Sequence, residues 1–190
     1  MLFWAIVFIA AAVALYAIIA FNSLVRTRQM ANEAWSGIDV QLKRRSELVP
    51  NLVETVKGYA GHERSVLEDV TRLRGAARAL PEDDIAGRAQ AEGALSQALG
   101  KLVALAENYP DLKASANFLD LQQQLSQLET ELQMARRYYN GAVRNQNVLV
   151  QSFPGNLVAG LFGFGQRQYF EVSDAADREV PQVALQPPAR

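Results

Sequence analysis

Between residues 34 and 63 the apolar positions fall at intervals of four and three. Positions 38, 42, 45, 49, 52, 56 and 59 read Ile, Leu, Arg, Val, Leu, Val and Tyr, the period that keeps one helix face against a partner helix. Asp39, Lys43, Arg44, Glu47, Glu54 and Lys57 fill the faces between, as on a solvated helix exterior. The count continues through Val66, Val70, Leu73, Ala77 and Leu80, which predicts one long first helix from Arg26 to Leu80. Pro50 lies inside it, where proline costs roughly 3 kcal/mol through a lost hydrogen bond and a ring clash. The register is the same on both sides, so a kink is expected and not a break. The competing place to break is Gly58-Tyr59-Ala60-Gly61, because glycine costs about 1 kcal/mol in a helix interior.

Leu80-Pro81-Glu82-Asp83-Asp84 reads as a turn and helix start, with acids placed to complement a helix dipole. Ile85, Ala89, Leu95, Leu99, Leu102 and Ala106 then stripe a second helix, Glu82 to Asn108, which Asn108-Tyr109-Pro110-Asp111 stops. Ser115 is placed to cap a third helix running to Ser152. Its seam at 118, 121, 125, 128, 132, 135, 139, 142, 146 and 149 reads Phe, Leu, Leu, Leu, Leu, Ala, Tyr, Ala, Gln and Leu. Pro154-Gly155 ends it, and the apolar stretch 156–164 suggests a short helix and turn over one end of the bundle. The predicted class is therefore all-α: an N-terminal transmembrane helix, then an antiparallel bundle of three long helices, or four if the first breaks near Gly58–Gly61. The divisions are an anchor at 1–25, a bundle at 26–152, an apolar capping segment at 153–170 and a disordered tail at 171–190, where three prolines fall in the last ten residues.

The first 25 residues carry no charged side chain, and Leu2 to Phe21 is almost wholly apolar. Twenty such residues make a helix of about 30 Å, the thickness of a bilayer core. No Lys or Arg precedes the segment and its apolar run is long for a signal peptide, so an uncleaved span is expected. Arg26 and Arg28 follow it, then Lys43, Arg44 and Arg45. That bias predicts an N-terminus facing out and a cytoplasmic C-terminal domain. The net charge of −1 gives no bias toward nucleic acid. Residues 22–80 nevertheless hold ten Lys/Arg against seven Asp/Glu, which sets the more basic half beside the lipid. There is no cysteine, which removes disulfides and thiol chemistry.

AWSGIDVQLKRRSELVPNLVETVKGYAGHE at 34–63 closely resembles the signature of the LemA family of bacterial membrane proteins. The resemblance extends to FNSLVRTRQMANEAW before it, ENYPDLKASANFLDLQ at 107–122, ARRYYNGAVRNQN at 135–147 and FPGNLVAGLFGFGQRQYFE at 153–171. It covers nearly the whole chain in five ordered motifs. It implies a membrane-anchored helical protein of the bacterial inner membrane and supplies no catalytic residues.

Chemistry-bearing patterns are few. The one histidine, His62, cannot supply the two Glu-x-x-His pairs of a bundle di-metal site within one chain. Ser46 and Ser65 have no histidine at helical spacing to activate them, and no glycine-rich phosphate loop follows a strand. No catalytic, cofactor or metal residues are therefore assigned. Arg45 and Gln146 stand where the seam expects apolar side chains; they either snorkel out along their stems or fix register or partner choice. Trp35, about 21 Å of helix beyond Phe21, belongs to core or contact surface. If the first helix is unbroken it is about 82 Å long and the second returns only about 40 Å, which leaves residues 26–52 without a partner in their own chain. Trp35, Ile38, Leu42, Arg45 and Val49 are then an interaction surface, and homo-oligomerisation follows. The function expected is a non-enzymatic scaffold or adaptor, binding lipid and unidentified membrane or cytoplasmic proteins. The alternatives are a hydrolase with a metal shared between chains at His62 and Glu63, or a periplasmic domain with an envelope-stress role.

Overall fold

A computed structural model describes residues 1–171, and those residues form six helices and no strand. The tail predicted at 171–190 lies outside the described residues from 172 onward. Helix α1, Leu2–Tyr59, runs 58 residues without interruption, so the apolar N-terminal segment and the first bundle helix are one rod. Helix α2 is Arg64–Ala79, α3 is Ile85–Ala106, α4 is the single turn Pro110–Lys113, α5 is Ala116–Gln151 and α6 is Gly155–Leu161.

The long first helix predicted to reach Leu80 breaks after Tyr59, at the glycine-flanked alternative. Ala60 takes a non-helical conformation (φ −119°, ψ 42°), its N–H still bonding Val56 O at 2.8 Å, and Glu63 N–H closes the turn onto Ala60 O. Gly58 and Gly61 weaken the helix there by about 1 kcal/mol each. Folding back buries Leu67 and Val70 of α2 against Val49–Val56 and α3, and each fully buried Leu or Val is worth roughly 1.5–3 kcal/mol. Burial therefore outweighs the continuity of the heptad pattern. The domain is a four-helix bundle of α2, α3, α5 and the C-terminal part of α1.

This removes the geometry on which self-association was argued. Helix α5 lies antiparallel along α1: Phe118 packs in the cluster of Val49–Val56, while Leu149 and Val150 reach Leu24. None of the ten seam positions predicted on α5 is exposed. The segment 26–52 thus has its partner within the chain, and its seam needs no neighbouring copy.

Helix α1 passes through Pro50 because the vacancy in its ladder is filled from outside. Proline has no N–H, so the carbonyl four residues earlier, that of Ser46, loses its helical donor. Arg74 of α2 reaches across and donates Nε–H to Ser46 O at 2.6 Å. At α3, Asp84 caps the N-terminus through Gly87 N–H at 2.9 Å. Ser115 occupies the N-cap of α5 without making the side-chain bond expected of it.

The interior is three apolar clusters stacked along α1. The outermost, from the first turn down, gathers Val49–Val56 with α2, Leu95–Leu102 of α3 and Phe118. The middle one holds Ala31, Ala34, Ile38 and Leu42 with Ala89, Leu132, Tyr139, Val143 and Phe170. The third, at the apolar end of α1, joins Ala17–Val25 to Val158 and Ala159 of α6 and to Phe164.

Candidate functional site

Between the outer and middle clusters lies a layer of charge. Arg45 of α1 is 4% exposed and Glu92 of α3 is 7% exposed. Arg45 Nη1 stands 3.6 Å from Glu92 Oε2, an ion contact without a hydrogen bond, and Arg45 Nη2 forms a second ion pair with Glu129 of α5 at 3.1 Å. Six residues nearer the apolar end of α1, Arg88 Nη2 forms an ion pair with Asp39 Oδ1 at 2.7 Å, and its guanidinium sits 5.5 Å from the centre of the Trp35 ring. The layer ties α1, α3 and α5 together at one height. Burial pushes the Glu92 carboxyl above its ordinary range, against the pull of Arg45 and Arg88. Arg45 therefore does not snorkel; it is buried and paired.

A second polar device holds the chain after α6. The segment 164–171 turns back at Gly163 (φ +69°), where only glycine is unstrained, and runs extended along α5. It pairs with side chains in place of a strand. Asn147 donates Nδ2–H to Arg167 O at 2.9 Å and accepts Arg167 N–H at 2.8 Å; Asn140 does the same with Phe170 O and N–H at 3.1 and 2.9 Å. Seven helical residues span about 10.5 Å and three extended ones about 10 Å, so the two asparagines match the strap's repeat. Tyr139 Oη donates to Gln168 O at 2.9 Å, Gln146 Nε2 to Gly165 O at 3.3 Å, and Phe170 seals the strap against Trp35. Burial raises the Tyr139 hydroxyl's pKa, opposed by Arg167.

Trp35, Ile38, Leu42, Arg45 and Val49 come together, but inside the bundle. The four other than Trp35 are buried and Trp35 is half-covered by Tyr139 and Phe170. They are not an outward interaction surface, because α5 and the strap occupy the face that was expected to be open. His62 and Glu63 lie in the turn between α1 and α2, His62 exposed. Among the described residues no three His, Cys, Asp or Glu side chains gather as metal ligands. The strap contacts were missed in the sequence. The available signal was Asn140 and Asn147, one heptad apart beside a seam residue that was itself polar, Gln146.

At the apolar end, α6 and the end of α5 pack against Ala17, Ala20, Phe21 and Leu24. Phe162 and Phe164 set their rings edge-on to Phe21, at 4.8 and 5.8 Å between centres. Below that collar residues 1–16 are all exposed, and the apolar part of α1 as a whole is long and apolar enough to cross a membrane.

Over the described residues these features define an all-helical bundle whose first helix carries a membrane-length apolar segment. The sequence pattern of the LemA family matches residues 34–185, and the chain belongs to that family. It is similar to magnetosome protein MamQ 2 of Paramagnetospirillum magneticum, 25% identical over 191 residues, covering 86% of this chain and 70% of that one. Magnetosome protein MamQ of Magnetospirillum gryphiswaldense is 25% identical over 189 residues with the same coverage. Protein LemA of Metamycoplasma hominis is 26% identical over 164 residues, covering 86% of this chain and 74% of that one.

Proposed function

We propose that this protein is a non-enzymatic scaffold fixed to a bacterial inner membrane, with α1 spanning the bilayer and the bundle on the cytoplasmic side. One observation carries this reading: the apolar anchor and the first bundle helix are the same uninterrupted helix. An uninterrupted helix leaves no flexible linker between anchor and domain. Here α5 and α6 clamp α1 where it leaves its apolar segment, so the bundle's height and rotation are fixed with respect to the membrane. From Phe21 to Tyr59 the rod projects about 57 Å. Arg26, Arg28 and the basic stretch Lys43–Arg45 favour retention of this side in the cytoplasm.

The binding faces are the outward ones, with exposed Met134 and Tyr138 on α5 and Val40 on α1. Any assembly with further copies of the chain would use these faces and not the Ile38 seam. Photo-reactive residues at these three positions, irradiated in intact cells, should attach the protein to a small, position-dependent set of neighbours. A protein that stays uncrosslinked from every outward position while natively folded would end the scaffold reading. A reporter active only in the periplasm, fused after Arg190, should be silent, and strong activity would reverse the orientation.

A further inference from the structure

Tyr16 sets its hydroxyl against Gly155 at the start of α6, and the apolar run of α1 continues past it to Phe21. The hydrocarbon core is about 30 Å thick. A span of that depth ending with this run includes Ala17, Ala20 and Phe21, the residues around which α6 and the end of α5 pack. The collar therefore lies at the depth where acyl chains meet headgroups.

Its composition fits that depth. Residues 145–166 carry no charge. The collar's outward side shows Phe153 (80% exposed), Leu157 (63%), Leu161 (79%) and Phe162 (54%), while Val158 and Ala159 face inward against α1. Such a face is costly in water and is continuous with the bare surface of the anchor. Arginines lie on the bundle side of it: Arg28 stacks over Phe164 at 5.0 Å, and Arg167 of the strap bonds Asn32 of α1. Arg26 and Arg144 are exposed near the same height. An apolar ring edged by cations matches a lipid surface with anionic headgroups.

We propose that α6 with its flanking phenylalanines is a second membrane-embedded element, seated in the lipid interface beside the anchor and held there by arginine–headgroup contacts. This rests on α1 spanning the membrane, and the test separates the two. The full-length protein, which has no cysteine of its own, is purified with single substitutions Leu161→Cys, Phe153→Cys, Val13→Cys or Leu119→Cys. Each is labelled with an environment-sensitive fluorophore and reconstituted into phosphatidylcholine–phosphatidylglycerol vesicles. Phe153 and Leu161 are surface positions on either side of α6, so each checks the other against a local disturbance. Labels at both should be quenched by lipids carrying a shallow spin label, and iodide quenching should fall at least about threefold below that at Leu119 on the far end of α5. Iodide access at Leu161 and Phe153 equal to that at Leu119, with Val13 shielded, would overturn the collar and leave the anchor standing. Access at Val13 as well would overturn the spanning helix. Labels shielded from both iodide and lipid quencher would show a protein covering the face, and would overturn the lipid assignment.

Discussion

Arg45→Met places an uncharged side chain of similar reach in the buried layer and leaves Glu92 without its nearest cation. Arg88 acts on Glu92 only at longer range, since its direct partner is Asp39. Glu129 is about one third exposed and can turn to water, so the cost concentrates on Glu92. A stranded buried carboxylate would cost roughly 3–5 kcal/mol, but it can escape by taking a proton. Neutralising a carboxyl of ordinary value 4.5 at pH 7 costs about 3.4 kcal/mol, at about 1.4 kcal/mol per pH unit. That sets the ceiling at pH 7, and at pH 5 the same reasoning leaves only about 0.7 kcal/mol. The sign follows from the direction of the shift. Burial holds the Glu92 carboxyl above its unfolded value, so its contribution to stability is fully present below pH 4.5 and is lost as pH rises through the folded value. Removing Arg45 raises that folded value further, so the penalty grows from acid to neutral pH. Urea unfolding of the full chain in detergent, read by the fluorescence of Trp35, checks this at pH 5 and pH 7. Adding Glu92→Leu to Arg45→Met should recover most of the loss, because a buried ion pair replaced as a unit by apolar groups is close to neutral. Equal destabilisation at both pH values, or no rescue in the double variant, would refute the assignment of the cost to Glu92.

Arg74→Met should destabilise by about 1–3 kcal/mol through the orphaned Ser46 carbonyl and should cost little in a Pro50→Ala background, where the helical donor returns; the urea midpoints of the four proteins decide. Asn147→Ala removes both bonds to Arg167 and should cost about 1–3 kcal/mol, with faster hydrogen exchange at residues 165–170 while α5 stays protected. Val56, fully buried in the outer cluster, should not tolerate Val56→Asp, which should lower stability by several kcal/mol; an unchanged thermal melt would mean the cluster is misplaced. Ile38→Cys should give no disulfide between chains in membranes, since Ile38 is covered by its own chain; efficient crosslinking would restore the view that this seam joins neighbouring copies.

Local periodicity and composition were enough for the class of fold and for most helix limits. The heptad spacing on α1 and α5 marks their buried faces, since a side chain's direction on a helix follows from its position alone. Ser115 marks the start of α5, the acidic turn Leu80–Asp84 falls just before α3 although the helix was expected from Glu82, and the uncharged first 25 residues mark the membrane-length segment. The turn at Ala60 was beyond local reading, because the heptad runs in phase through Gly58–Gly61. Glycine propensity and pattern continuity are each worth a kcal/mol or so there, and the decision falls to Leu67 and Val70 meeting Leu95 and Leu99 from the next helix. Once that turn is made, the seam expected to lie open becomes the core, and Ile38 and Val49 exchange a neighbouring chain for α5. The partners of Arg45, of the Ser46 carbonyl and of Asn147 are likewise tertiary facts. Each joins residues at least 20 positions apart, where no helical or strand period connects them, and only the packed arrangement of elements brings donor and acceptor within 3 Å or so.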